Sequence, residues 1–155
     1  MNTSRPIFVH KNKLITSAGI TPYIFDNNEL YLLFINIDDK YEDFGGKTAP
    51  IDLSIYDTAS READEESNGI LSKEIIHNLL PNSPYFQNKT KYITYFVQLD
   101  QKYDVSLFGN IEITDQIERT VEWIKFSDIK DKKFHPRLNN HIYFNLIKKL
   151  YQFNF

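Results

Sequence analysis

A chain of 155 residues, 41% hydrophobic and 15% aromatic, can bury one core but is too short for two ordinary domains, so residues 1–155 are read as a single domain. The absence of cysteine excludes disulfides, thiolate metal sites and a cysteine nucleophile. A formal net charge of -3 argues against a protein devoted to gripping many nucleic-acid phosphates, and no apolar run approaches the ~20 residues of a membrane span, so a cytoplasmic location away from membranes is expected.

Met1 to Lys13 carries only Ile7-Phe8-Val9 as an apolar cluster, which is no signal peptide. Leu14 to Phe25 reads as a strand, with Pro22 favouring an edge or a bulge. Asp26-Asn27-Asn28 is a turn, and Glu29 to Ile37 is a second strand that completes an antiparallel hairpin, closed by charged Asp38 to Asp43. After Gly45-Gly46 and an irregular stretch, a helix begins near Asp52 or Ser54 and runs to about Ser67, stopped by Asn68-Gly69. Leu71 to Leu80 forms a short helix ended by Pro81-Asn82-Ser83-Pro84, and Lys91 to Leu99 is a strand. Asp100 to Asn110 connects onward, with a short strand expected at Val105 to Phe108 and further strands at Ile111 to Ile113 and Thr120 to Phe126. Asn139 to Phe153 closes the chain as a helix. Interleaved strands and helices without a repeating βα unit predict an α/β fold: a mixed sheet with helices on both faces.

Charge is distributed unevenly along this order. Asp57 to Glu66 is acidic apart from Arg61, whereas Lys125 to Lys149 sets Lys125, Lys130, Lys132, Lys133, Arg137, Lys148 and Lys149 against only Asp128 and Asp131. A solvated lysine face is the commoner meaning of such a run, and contact with an anionic substrate is the functional one.

The segment Gly45 to Gly69 carries the chemistry. On a helix from Ser54 to Ser67, Glu62, Glu65 and Glu66 stand at i, i+3 and i+4 and converge on one face. Ile55, Ala59 and Ala63 form the stripe that packs on the sheet, and Glu66 projects into the same sector. A carboxylate turned toward a core needs a cation, and oxygen ligands without Cys or a His pair favour Mg²⁺ or Mn²⁺. Gly45-Gly46 lets backbone carbonyls and phosphate approach, Lys47 can contact that phosphate, and Arg61 can orient a glutamate by a forked pair. His10, His77, His135 and His141 have no metal spacing, there is no Gly-x-Ser-x-Gly elbow, and Gly45-Gly46-Lys47-Thr48 lacks the upstream glycine of a phosphate loop.

This segment resembles the Nudix box: Gly, five residues, Glu, seven residues, Arg-Glu, aliphatic, any, Glu-Glu, any, Gly, aliphatic. Here stand Gly46, five residues, Asp52, eight residues, Arg61-Glu62-Ala63-Asp64-Glu65-Glu66, then Ser67-Asn68-Gly69-Ile70. Asp replaces the first Glu, one residue is added before Arg61 and one before Gly69. Asn68 takes the glycine position as a left-handed helix cap, and Asp52, with its shorter side chain, helps to fix the loop. Ala18-Gly19, Phe44 and Glu122-Trp123 extend the resemblance loosely over residues 14 to 150.

The resemblance implies a Nudix-type α/β/α sandwich with the catalytic loop-helix-loop on one side. It implies an enzyme cleaving the diphosphate bond of a nucleoside triphosphate, dinucleoside polyphosphate or nucleotide sugar. By that resemblance Mg²⁺, with Mn²⁺ as substitute, would be held by Glu62, Glu65, Glu66 and the Gly45 carbonyl. A further acid before Trp123 joins them, with Glu118 the choice and Asp115 the reserve. Lys47 and Arg119 would then steady the diphosphate, and Phe44 is among the rings expected to be available to stack on a base. Decapping of RNA and a non-catalytic nucleotide-binding module are the alternatives, as monomer or homodimer.

Overall fold

The structure, a computed structural model, describes residues 4–153. β1 (Phe8–His10) and β2 (Lys13–Ile15) form a small antiparallel ribbon. β3 (Ser17–Asp26) and β4 (Glu29–Ile37) form the expected hairpin, whose turn residues Asn27 and Asn28 hold φ of 52° and 64°. Two left-handed residues in a row match the twist of the flanking strands. Asp38 and Asp39, at 52° and 63°, repeat the device and turn the chain into β5 (Lys40–Glu42), a three-residue strand on β4. β6 (Phe44–Lys47) then pairs with β3.

The remaining elements are α1 (Ile55–Glu66), α2 (Lys73–Leu79), β7 (Tyr85–Gln87), β8 (Tyr92–Gln98), β9 (Ile111–Glu112), β10 (Ile117–Glu118), β11 (Thr120–Lys125) and α3 (His141–Gln152). The main sheet runs β11-β4-β3-β8-β7, with β5 attached to β4 and β6 to β3. β3 and β8 are parallel and the other pairs antiparallel, so the sheet is mixed as expected. Alternation along β4 sends Leu33 and Ile35 to one core with Ile55, Ala59 and Ala63 of α1, and Leu32 and Phe34 to a second core with Tyr143 and Ile147 of α3. Helices therefore cover both faces. None of the described helices is long and apolar enough to cross a membrane.

Two local expectations are corrected. Pro22 lies not at an edge but in the central strand β3. Tyr23 turns its carbonyl to the Leu99 amide on the β8 side, so the Pro22 nitrogen faces the other side, in the gap between the β6 ladder ending at Ile20 and the β4 ladder starting at Tyr23. A missing N–H costs nothing at such a gap. Val105–Phe108 is a 3₁₀ turn instead of a strand, because the Asp104 side chain accepts from the Ser106 amide and caps it.

Candidate active site

Local chemistry fixes both ends of α1. The Ser54 hydroxyl accepts from the Asp57 amide, and Asp57 in turn accepts from the Leu53 amide. At the other end Asn68 and Gly69 hold φ of 54° and 84°, which bears out the left-handed stop. Asn68 also donates to the Phe108 and Ile111 carbonyls and accepts from the Ile113 amide, tying the helix end to the β9–β10 ribbon.

Asp52 anchors the loop before the helix. Its carboxylate accepts from the Ala49 amide at 2.8 Å, the Thr58 hydroxyl at 2.8 Å, and Arg61 Nε and Nη2 at 2.9 and 3.0 Å. Burial opposes ionisation there, but these donors and the guanidinium outweigh it and hold Asp52 below its ordinary range. Arg61 also donates to the Lys47 carbonyl at 2.9 Å and reaches Glu62 and Glu65 at 3.1 and 3.3 Å. One guanidinium thus joins the loop, β6 and two carboxylates of α1.

The glycine pair has a packing purpose that sequence reasoning did not assign. A Cβ on Gly46 would stand 2.6 Å from the Glu62 carboxylate, and a Cβ on Gly45 would overlap the Tyr92 hydroxyl, as would one on Gly19. The Thr48 amide bonds the Thr16 carbonyl, which makes the alternate Gly19–Gly45 pair non-hydrogen-bonded. The Gly45 carbonyl therefore turns away from β3, toward the edge where the Lys47 carbonyl accepts from Arg61.

Excess negative charge collects between these elements. Burial pushes the Glu62 carboxyl up to about 7, Arg61 pulls it down, and Glu65 and Asp115 add to the rise. Glu66 is raised well above the ordinary carboxylate range by burial and then by Glu62, against the pull of Arg137. Its Oε1 is buried without a hydrogen-bond partner. Glu42, opposite Ile35 and hence on the α1 face of the sheet, is raised by burial in the same field.

Beneath lies a group that no sequence signal announced. Arg137 Nε and Nη2 donate to Asp43 Oδ1 at 2.9 and 2.7 Å, Tyr92 donates its hydroxyl to the other Asp43 oxygen, and the Arg137 guanidinium lies 4.7 Å from the Tyr92 ring centroid. Asp43 and Arg137 are far apart in the chain, so no local pattern reveals the pair.

Three expected assignments change. Phe44 is 0% exposed and packs in the α1-side core against Phe108, leaving no ring face for a substrate. Arg119 is 5% exposed and donates to the Gly109, Phe108 and Glu66 carbonyls, so it clamps the end of α1 and does not face a diphosphate. Glu118 pairs with Ile111 and so lies on the opposite face of the β9–β10 ribbon from Glu112. It is exposed and lines a depression with Asn36, Asp38 and Asp39. Glu112 instead is 3% exposed, its Oε1 unpartnered, with burial and then Asp115 and Glu65 raising its carboxyl. The acids of this ribbon that reach the helix cluster are therefore Glu112 and the reserve Asp115, which also acts on Glu62. Lys47 is exposed beside Gly46.

The donor set suits a hard dication. Among the described residues no three acids close around one point, since Arg61 holds Glu62 and Glu65 to its own Nη1. Glu66 Oε1 nevertheless has no hydrogen-bond partner, and the carboxylates of Glu62, Glu42 and Asp43 outnumber Arg137 in the field around it.

Comparison with known proteins places this architecture. No family model matches the chain. Uncharacterized protein L534 of Acanthamoeba polyphaga mimivirus is 40% identical over 72 residues, which is 42% of this chain but only 23% of that protein. Among solved structures, the C. elegans Ap4A hydrolase in a binary complex aligns over 88% of this chain and 96% of its own, at 15% identity and a TM-score of 0.60. The NUDIX domain of Shewanella oneidensis NrtR, complexed with ADP ribose, aligns over 88% of each chain at 13% identity and a TM-score of 0.56. The chain has the Nudix fold.

Proposed function

We propose that the chain is a Mg²⁺-dependent pyrophosphohydrolase that cleaves the diphosphate bond of a nucleoside diphosphate derivative. The observation that carries this reading is the buried, unpartnered Oε1 of Glu66 beside Glu62, on a helix clamped against a glycine pair. A buried acceptor without a donor is costly unless a ligand satisfies it. The Nudix fold adds support, and two proteins similar to this one are named for, or complexed with, nucleotide derivatives.

Glu62, Glu65, Glu66 and the Gly45 carbonyl would hold Mg²⁺ or Mn²⁺, which when bound supplies charge neutralisation at phosphate oxygens and an acidified water. The chain's own residues do the rest. Arg61, fixed by Asp52, keeps Glu62 and Glu65 aligned. Exposed Lys47 offers its ammonium to the diphosphate from the strand that carries Gly45. Glu112, with an open acceptor oxygen, would take a proton from the attacking water. Arg119 works at one remove, holding the helix end that carries Glu66.

Incubation with Mg²⁺ or Mn²⁺ and a panel of nucleoside triphosphates, dinucleoside polyphosphates, nucleotide sugars and capped RNA tests the reading. Products that split within the diphosphate, with ¹⁸O from water in one phosphate, support it. The capped RNA arm distinguishes decapping. No turnover on any member would overturn it in favour of a nucleotide-binding module.

A further inference from the structure

On the face of the sheet opposite α1, a groove of about 640 Å³ lies between the 3₁₀ turn 126–131 and α3. Phe126, Ile129, Phe144 and Ile147 form its apolar walls. The two rings are braced from behind: Phe126 stacks on Tyr151 at 4.6 Å, and Phe144 meets Phe134 edge-on at 5.2 Å. Exposed Lys130, Lys132 and Lys148 line the same groove with the amides of Asn139 and Asn145. Lys148 and Asn145 also line a second groove on the other flank of α3, with His141 and Lys149. The basic surface therefore continues across the helix.

None of Lys125, Lys130, Lys132, Lys133, Lys148 and Lys149 forms an ion pair with a described carboxylate, although the chain as a whole is acidic. Lys130, Lys132, Lys148 and Lys149, lining the two grooves beside braced aromatic walls, match a ligand with planar rings and a repeating negative backbone.

We infer that the α3 face binds single-stranded nucleic acid, a base entering the groove between Phe126 and Phe144 while phosphates track the lysines across α3. Recessed rings accept an unpaired base and not a stacked pair, and lysines spread over two grooves exceed what one nucleotide needs. An acidic peptide would use the lysines but leave the aromatic groove unfilled. This surface is separate from the carboxylate cluster, so the inference goes beyond the hydrolase reading and stands independently of it.

The test is fluorescence anisotropy with a labelled single-stranded RNA of about twelve nucleotides, using the full chain and three variants: K130E/K148E, Asn145→Asp and Glu66→Gln. Both exchanged lysines and Asn145 are exposed, so the variants should melt as the wild type does. Expected is salt-sensitive binding that weakens about tenfold or more in K130E/K148E, weakens in Asn145→Asp, and is unchanged in Glu66→Gln. An abasic strand of the same length should bind about tenfold more weakly. Equal affinity in K130E/K148E, equal binding of abasic strand, duplex or polyglutamate, or loss in Glu66→Gln alone would each overturn the inference. Hydrolysis of small nucleotides by K130E/K148E should match wild type, so failure of the groove and failure of the hydrolase reading are told apart.

Discussion

The carboxylate of Glu62 rests on the backbone of Gly46, where an added Cβ would stand 2.6 Å from Glu62 Cδ. The atom displaced is the end of a flexible side chain, so Gly46→Ala should leave the fold within about 1 kcal/mol of wild type while moving the carboxylate. Because misplacement by an ångström is felt strongly in catalysis, hydrolysis should fall by roughly a hundredfold. Parallel melting curves and steady-state kinetics check both halves. A variant that is unfolded, or fully active, contradicts the assignment.

Asp52 and Arg61 share two near-parallel bonds of 2.9 and 3.0 Å, with the Asp52 side chain fully buried. Asp52→Asn keeps the shape but removes the charge and puts a donor where Arg61 needs an acceptor. Chemical denaturation should register a loss of about 2–3 kcal/mol, and Arg61→Lys should lose a comparable amount because an ammonium cannot span the fork.

The Glu122 carboxylate accepts from Asn36 and Thr120, each at 2.8 Å, and from the Tyr41 hydroxyl at 2.9 Å. Burial works to raise this acid, but the three donors and Lys132 outweigh it and hold it below the ordinary glutamate range. A depressed folded value contributes stability above the unfolded value, lost as pH falls through the folded one. Glu122→Gln should therefore melt lower than wild type near neutrality. The difference should shrink progressively below about pH 4.3, the ordinary glutamate value. A gap that widens on acidification would contradict the network.

Arg137 and Asp43 form a pair whose carboxylate side chain is 0% exposed. Arg137→Met strands a buried charge and should cost about 3–5 kcal/mol, whereas Asp43→Asn with Arg137→Met should recover much of that. A double-mutant cycle measures the coupling; additive losses would refute it.

These residues also mark what was legible in the sequence. The i, i+3, i+4 spacing of Glu62, Glu65 and Glu66 and the left-handed cap at Asn68 are local properties, and the helix carries both as expected. The Arg137–Asp43–Tyr92 group joins residues 94 and 49 positions apart and has no local signature. Phe44 and Glu118 were assigned by their neighbours in sequence, but strand parity decides which way a side chain points. Parity placed Phe44 in the core and turned Glu112, not Glu118, toward the cluster. At Val105–Phe108 an apolar run suggested a strand, and a capping aspartate before it made a turn. β5 is three residues long, too short for any period to register.

The central claim, that Glu66 belongs to a metal-dependent hydrolytic site, is tested most directly by comparing turnover of a cleaved nucleoside diphosphate derivative by wild type and Glu66→Gln over a Mg²⁺ titration. Glutamine nearly preserves volume while removing the charge a dication requires, so kcat should fall by a factor of about a hundred or more with an unaltered melting temperature in chelator. Equal turnover by the two proteins, or wild-type turnover undiminished by chelator, would contradict it.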